Sequence, residues 1–223
     1  KKTFRFKNFD NKNLSICKFQ PFHRCKVKIK KEVVPMGVKV LKRKIKNHIE
    51  PTKWNELINK KNTLLIDTRK PFEYEVGTFK GSVNPQVNNF REFPEYLKKL
   101  NKNINIAMFC TGGIRCEKAS AYLKHHGFED TNQLHGGIIE YKKQVDQEGL
   151  ECKFKGKNFV FDERVGERIT EEVISNCHQC GESCDSHTNC KNDDCHLLFI
   201  QCDKCKEKHQ GCCTPKCMEI ASL

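Results

Sequence analysis

Apolar and polar positions recur with different periods along this chain, and the changes of period divide it into segments of 1–48, 49–150, 151–176 and 177–217. Within 49–150, short apolar runs of strand length alternate with stretches whose apolar positions return every three or four residues. Pro51 suits the first turn of a helix, and Trp54, Leu57 and Ile58 give that helix one apolar face. Leu64-Leu65-Ile66 predicts a buried strand ending at Asp67-Thr68-Arg69. Residues 90–100 predict a helix, 104–109 a second buried strand, and 116–126 a helix that Gly127 closes at its C′ position. Gln133-Leu134 closes a third strand before His135-Gly136-Gly137, and residues 138–145 predict a further helix. Apolar strands separated by helices imply an α/β domain whose mostly parallel sheet is covered on both faces. Ligands bind such sheets at the carboxyl ends of the strands. Arg69 and Cys110 both lie at those ends.

The flanks read differently. Cys25-Lys26-Val27-Lys28-Ile29-Lys30 alternates apolar and basic residues and predicts a strand, which Pro35 and Gly37 terminate; Phe4, Phe6 and Phe9 mark another. A segment of this length builds no independent core, so 1–48 is expected to be the end of a small domain that begins upstream of Lys1. Phe159-Val160-Phe161 predicts a last short strand in the connecting segment. Residues 177–217 are poor in apolar side chains and dense in Cys, His, Asp, Asn and Lys.

Charge sharpens this division. The net charge of the 223 residues is +13; residues 1–50 hold 16 Lys and Arg against 3 Asp and Glu, so the whole excess is N-terminal. Such a run attracts phosphate backbones through charge and counterion release. It makes Lys26, Lys28, Lys30, Lys31, Lys42, Arg43 and Lys44 candidate RNA contacts, against the plainer alternative of a solvated lysine-rich segment. No apolar run approaches the roughly 20 residues of a membrane span, and no signal-peptide core is visible. The expectation is a cytoplasmic protein without a membrane partner, with an organellar address left open because the chain begins at Lys1.

Ten of the 15 cysteines crowd into 177–217. Their order is Cys177-x2-Cys180, Cys184, Cys190-x4-Cys195, Cys202-x2-Cys205 and Cys212-Cys213-x3-Cys217. Two CxxC pairs can close a tetrahedral zinc site with bonds of about 2.3 Å. An interleaved pairing predicts Cys177, Cys180, Cys202 and Cys205 at one ion, and Cys190, Cys195, Cys213 and Cys217 at a second, leaving Cys184 and Cys212 spare. A disulfide-linked tail and an iron–sulfur cluster are the alternatives. All-cysteine zinc sites keep no open coordination position, so the expected role is structural, supplying stability that so few apolar residues cannot.

The chemistry centres on Cys110-Thr111-Gly112-Gly113-Ile114-Arg115, followed by Cys116. Six residues between a buried strand and a helix can curl around an anion. Gly112 and Gly113 permit unusual backbone angles, and the amides of Thr111 to Ile114 form a nest above the helix N-terminus. Such surroundings favour a thiolate. Arg115 is placed to hold an oxyanion or brace the loop, and Asp67 is a candidate partner for it. Cys116 is a candidate second thiol, beside the alternative of a packed helix residue.

This loop resembles the active-site loop of the rhodanese superfamily. Leu65-Ile66-Asp67-Thr68-Arg69, Phe72-Glu73-Tyr74 and Gly77-Thr78-Phe79-Lys80-Gly81-Ser82 resemble its first signature, and Leu134-His135-Gly136-Gly137-Ile138 its closing one. Sulfurtransferase-type loops have six residues, whereas related dual-specificity phosphatases place Arg seventh; Arg115 is sixth, which disfavours a phosphatase. Lys30-Lys31-Glu32-Val33-Val34-Pro35-Met36-Gly37, Phe90-Arg91-Glu92-Phe93-Pro94 and Phe159-Val160-Phe161-Asp162-Glu163-Arg164 are similar to the oxygen-dependent tRNA uridine(34) hydroxylase family. That resemblance implies a ferredoxin-like or acylphosphatase-like N-terminal domain, a central rhodanese domain and a Cys-containing tail. It implies Cys110 as catalytic cysteine, Cys116 as a second functional one and Arg91 as an auxiliary substrate-site residue. The density of tail cysteines is similar to eukaryotic rhodanese-domain proteins with a Cys-rich C-terminus.

Three functions follow as expectations. The first is a tRNA-modifying enzyme that grips RNA with its basic segment and presents Cys110 to a uridine. The second is a persulfide sulfurtransferase in which Cys110 accepts sulfur from a thiosulfate-type donor. The third is a non-enzymatic RNA- or ribosome-associated factor on an inherited fold. No flavin or dinucleotide fingerprint and no iron-binding triad is legible, so the hydroxylation chemistry rests on the resemblance alone.

Overall fold

The computed structural model describes residues 18–22, 24, 28–38 and 47–222. In chain order its elements are β1 (His48–Ile49), α1 (Pro51–Ile58), β2 (Thr63–Asp67), α2 (Pro71–Glu75), β3 (Gly77–Phe79), a 3-10 turn (Phe90–Glu92), α3 (Phe93–Lys98), β4 (Asn105–Phe109), α4 (Ile114–His125), β5 (Thr131–Leu134), α5 (Gly137–Glu148), β6 (Phe154–Phe159) and β7 (Gly166–Arg168). A last group comprises β8 (His187–Asn189), β9 (Leu198–Ile200), α6 (Asp203–Lys208) and α7 (Pro215–Ala221).

The central sheet is parallel, in the order β1-β5-β4-β2. Its strands are apolar on both faces because both faces are covered. Leu65, Ala107 and Phe109 point to one side, where Trp54 and Leu57 of α1 and Ile138, Tyr141 and Val145 of α5 pack on them. Ile66, Ile106 and Met108 point to the other, against Phe93 and Leu97 of α3 and Cys116, Ala119 and Leu123 of α4. Met36 joins this second core from the N-terminal side. It anchors residues 32–38, a strap without regular structure, which Lys118 also holds through an ion pair with Glu32 and a hydrogen bond to the Val34 carbonyl.

The α/β architecture agrees with the sequence-based expectation; the differences are local and have physical causes. The helix expected over 90–100 divides into the 3-10 turn and α3. Asn89 caps the turn through its side-chain oxygen on the Arg91 amide, and Pro94, which has no N–H to donate, enters only in the first turn of α3. The strand expected at 159–161 lies earlier, as β6. It pairs antiparallel with β3 and β7 in a second, three-stranded sheet that hydropathy does not announce. Glycines interrupt its pattern for a steric reason: a Cβ at Gly156 would overlap the Val76 carbonyl, and one at Gly77 would overlap the backbone of Lys157. Lys28 to Lys31 form no strand. The remainder of the expected N-terminal strands, with Phe4, Phe6, Phe9, Lys26, Lys42, Arg43 and Lys44, lies outside the described residues.

The Cys-rich segment docks on the back of α2 and β6, where Ile200 and Leu198 meet Val76, Phe159 and Phe72. Lys157 and Arg168 both reach Asp185, at 3.0 and 2.5 Å. Among the described residues no helix is long and apolar enough to cross a membrane.

Phe79 joins the two sheets. It belongs to β3, yet its ring centroid lies 4.8 Å from Phe109, 4.8 Å from Tyr141 and 5.3 Å from Phe154. Truncating a fully buried aromatic leaves a cavity whose lining cannot close, so Phe79→Ala is expected to lower stability by about 3–5 kcal/mol. The urea midpoint measures this, and a loss below about 1 kcal/mol would show that the two sheets are not packed through this ring.

Candidate active site

Cys110 is the first residue after β4 and is 1% exposed. The chain turns through Thr111, Gly112 and Gly113 and enters α4 at Ile114. Two hydrogen bonds orient this turn: the Ile138 amide donates to the Cys110 carbonyl at 3.0 Å, and the Ile139 amide to that of Thr111 at 3.2 Å. The peptide planes are trans, so carbonyls facing α5 turn the N–H groups of Thr111 and Gly112 the opposite way, into the loop. Gly113, at φ 86°, completes the cradle by donating its N–H to the Cys110 sulfur at 3.1 Å. Such close contact with α5 requires Gly137. A Cβ at that position would sit 2.5 Å from the Cys110 oxygen and 2.6 Å from that of Thr111.

The electrostatics favour a thiolate. The Cys116 thiol hydrogen-bonds to the Cys110 sulfur and is the largest influence on it; Arg115 and the amides of Cys116 and Arg115 add to the effect. Together they outweigh burial and bring the Cys110 pKa down to about 6. Cys116 moves the other way, well above an ordinary thiol, because it is buried and donates to its neighbour. Its sulfur also lies 3.5 Å from the Thr68 hydroxyl. At neutral pH the pair is therefore one thiolate and one thiol, with the proton on Cys116.

Arg115 does not pair with Asp67. Both of its terminal nitrogens donate to Glu73, each at 2.8 Å, in a bidentate pair. Burial alone would raise the Glu73 carboxyl, but Arg115, Arg69 and the Lys70 amide together hold it below its ordinary value. Asp67 is taken by Arg69, two residues on, at 2.6 and 2.9 Å. That pair is fully buried, with the guanidinium 5.8 and 5.6 Å from the ring centroids of Phe109 and Phe154 and a further bond to the Gly77 carbonyl. Asp67 and Arg69 thus sit beneath the loop, because a buried arginine needs an immediate counter-charge and the adjacent strand end supplies it.

Over the loop lies a cleft of about 550 Å³. Its floor includes Cys110, Thr111, Gly112 and Arg115, and the strap contributes Val33, Val34 and Pro35 as one wall. A family model described as a rhodanese-like domain matches residues 50–144, which carry this floor, and one described as Rhodanase C-terminal matches residues 155–218. The chain belongs to the rhodanese superfamily. It is closely related to bacterial proteins named tRNA uridine(34) hydroxylase. One from Leptospira interrogans (serogroup Icterohaemorrhagiae serovar Lai, strain 56601) is 50% identical over 208 residues, 91% of this chain and 57% of that protein. Another, from Photorhabdus laumondii subsp. laumondii, is 54% identical over 172 residues, 76% of this chain and 49% of that protein. The chain spans about half the length of the curated relatives it matches. Among solved structures, a rhodanese-related protein from Thermoplasma volcanium is 27% identical, covers 47% of this chain and 95% of its own, and has a TM-score of 0.37.

In this rhodanese-superfamily chain the loop residues named from sequence, Cys110 to Cys116, do come together. Arg91 stands outside the cleft lining, exposed on the 3-10 turn and packed towards Gly37. Lys28, Lys30 and Lys31 are exposed just before the strap. Sequence reasoning missed Glu73 as a site residue; its signal was its place in the Phe72-Glu73-Tyr74 part of the first signature. It also missed Asn158, fully buried on β6, whose side-chain oxygen lies 3.4 Å from both Arg69 and Thr111.

The tail cysteines form two groups, Cys177, Cys180, Cys202 and Cys205, and Cys190, Cys195, Cys213 and Cys217, each with its sulfurs within 4.8 Å of one another. These are the two sets predicted by interleaving, and Cys184 and Cys212 fall outside both. Cysteines throughout the described residues are free thiols. The sulfur separations of 3.6 Å for Cys180–Cys202, 3.6 Å for Cys195–Cys213 and 3.7 Å for Cys213–Cys217 are far from a disulfide bond. They match the edge of about 3.8 Å that a tetrahedron with 2.3 Å metal–sulfur bonds would have.

Because Cys116 contributes most to the acidity of Cys110, Cys116→Ala is expected to raise the midpoint of Cys110 alkylation by about 1–2 pH units from its wild-type value, while Cys116→Ser moves it less. Iodoacetamide labelling across pH 5–9, read by peptide mass spectrometry, measures the midpoint. If the alanine variant keeps the wild-type midpoint, the loop amides and Arg115 alone set the thiolate.

Proposed function

We propose that this chain carries the catalytic part of a tRNA-modifying enzyme that hydroxylates uridine 34 of tRNA, with Cys110 as the reacting thiolate. The observation that carries the reading is the identity of 50% or more with proteins of that name, over an alignment that takes in most of this chain. The cleft fits it in kind. Its floor is an acidified thiol in an amide cradle, and among the described residues its lining holds no acidic side chain that would repel an RNA backbone. Lys28, Lys30 and Lys31 are exposed and precede in sequence the strap that lines it, and Lys26, Lys42, Arg43 and Lys44 extend the basic segment in sequence.

In this reading Arg115 and Glu73 brace the loop, Arg69 and Asp67 support it from below, and Cys116 holds the proton next to the reacting sulfur. Arg91 assists RNA at the rim. The oxygen chemistry is assigned to no residue of this chain. A second reading is favoured by one specific feature: a buried thiolate with a protonated thiol beside it also suits persulfide transfer, in which Cys110 attacks the outer sulfur of a thiosulfate-type donor, the donor S–S bond breaks with sulfite leaving, and a nucleophilic acceptor takes the outer sulfur from the Cys110 persulfide and restores the thiolate, Cys116 staying a thiol that hydrogen-bonds the Cys110 sulfur. A non-enzymatic role would make no use of the acidified Cys110 thiol.

Each group of four tail cysteines is proposed to hold one structural zinc ion. Zinc would fix a segment whose few buried apolar side chains are mostly the cysteines themselves. The segmentation is proposed in the same terms: a basic N-terminal part continuing a ferredoxin-like domain, a rhodanese domain over 49–150, a connecting strand and linker over 151–176, and a zinc module over 177–217.

Mass spectrometry of tRNA nucleosides tests the enzymatic reading. Cells lacking the protein are expected to lose 5-hydroxyuridine-derived nucleosides, wild-type protein to restore them and Cys110→Ser to fail. Restoration by Cys110→Ser would remove the thiolate from the mechanism. Thiosulfate:cyanide transfer by wild type with no change in tRNA would favour the sulfurtransferase instead. Metal analysis of the purified protein is expected to give two zinc ions per chain, and one each for Cys202→Ser and Cys213→Ser. Fewer than one in wild type would overturn the zinc assignment.

A further inference from the structure

Phe161 has no part in the chemistry described so far, and its setting is unusual. It follows β6 in the Phe159-Val160-Phe161-Asp162-Glu163-Arg164 motif and lines the same cleft as Cys110. Its ring remains 66% exposed. It is not loose, because Phe159 and Phe72 pack against it at centroid distances of 5.1 and 6.3 Å with interplanar angles of 78° and 80°. Two other apolar side chains at the cleft are also open to solvent, Val33 at 78% and Ile114 at 59%. Single exposed apolar residues are ordinary, but several converging on one cleft around a reactive group mark a binding surface.

The other lining groups narrow the occupant. Asn88 and Asn89 offer amide donors and acceptors, and the loop floor offers N–H groups. Lys70 lines the cleft with its ammonium 5.8 Å from the Phe72 ring, and the exposed Lys28, Lys30 and Lys31 precede in sequence the strap that supplies Val33. Among the described residues no acidic side chain lines the cleft. A braced aromatic face, an amide-bearing wall and flanking cations together match a planar base on a polyanionic strand. A folded protein donor would gain nothing particular from the planarity of the ring.

We propose that Phe161 is a stacking platform that holds a single unpaired pyrimidine base of an RNA over Cys110, with Val33 and Ile114 as the apolar rim. This rests on the reading of the cleft as an RNA-modifying site and adds the residue that receives the base. Phe161 is a substrate-binding residue here, and the neighbouring Phe72 and Phe159 position it.

The test uses the full chain and a binding readout independent of turnover. An anticodon stem-loop RNA with uridine at its wobble position is titrated against iodoacetamide labelling of Cys110. Wild-type protein is expected to be protected. Phe161→Ala and Phe161→Leu should need about 10- to 100-fold more RNA, whereas Phe161→Trp should stay within about 3-fold of wild type. An RNA with an abasic site at the wobble position should protect wild type as weakly as the uridine RNA protects Phe161→Ala, and the two losses should not add. Protection by the uridine RNA that is equal in wild type and Phe161→Leu overturns the proposal. So does full protection by the abasic RNA, absence of any protection of wild type, or protection only by a persulfide-carrying protein. Loss of tRNA hydroxylation by wild type with Phe161-dependent protection intact would overturn the proposed reaction and leave the platform standing; the reverse pattern overturns the platform alone.

Discussion

Two hydrogen bonds, from the amides of Ile138 and Ile139 to the carbonyls of Cys110 and Thr111, set the orientation of everything above the sheet. A peptide plane has two polar ends, and fixing one fixes the other. Once α5 takes the carbonyls, the N–H groups of the loop have no choice but to face inward, where a thiolate or a bound anion satisfies them. The demand travels back to sequence as Gly137, whose missing side chain lets α5 come that close. The sheet and the site are thus not separable. The helix that covers one face of the core is also the helix that shapes the cradle.

Charge at the loop is shared among four groups. Arg115 could have faced the cleft as a free cation, but its fork is filled by Glu73. The pair is neutral as a unit, and so the acidity of Cys110 depends first on the Cys116 thiol and only then on Arg115. A guanidinium in a bidentate carboxylate pair keeps three N–H donors but brings no net charge as a pair, so it attracts a dianion such as phosphate less than a free arginine would. The six-residue loop, which in sequence disfavoured phosphate chemistry, therefore has an electrostatic counterpart in the structure. A neutral ring meeting a thiolate is a better match to this balance than a charged ester.

The strands and helices of the central domain were legible because each apolar run had to be buried on both faces, and Leu64 to Ile66 and Ile106 to Phe109 carry that pattern without ambiguity. The cysteine groups were legible for a different reason: CxxC spacing is a local geometric constraint on two thiolates at one centre. What could not be read were partnerships across distance. Asp67 and Glu73 are both acidic residues near the first signature, and only the fold decides that Arg69 takes one and Arg115 the other. The second sheet was hidden by its glycines, and with it the position of Phe161, which reads as a buried strand residue but lies two residues past Phe159, where β6 ends.

The Cys-rich segment lies away from the reacting sulfur, yet α2 ties the two together. A helix of five residues is far too short to persist on its own. Its register is held from one side by Glu73, which accepts from the Lys70 amide and from Arg115. From the other side it is held by the tail: His187 lies 3.1 Å from the Phe72 carbonyl, and His178 lies 3.5 Å from Glu75. Burial lowers the His187 pKa to about 4, so at neutral pH it is an uncharged ring that can donate to that carbonyl without bringing a charge into the aromatic cluster. Phe72 then stands between His187 and Phe161, while its neighbour Glu73 grips Arg115. Whatever stiffens residues 177–217 stiffens α2, and through α2 both the wall of the cleft and the brace of its floor. That places the tail within the architecture of the site, although none of its cysteines lines the cleft.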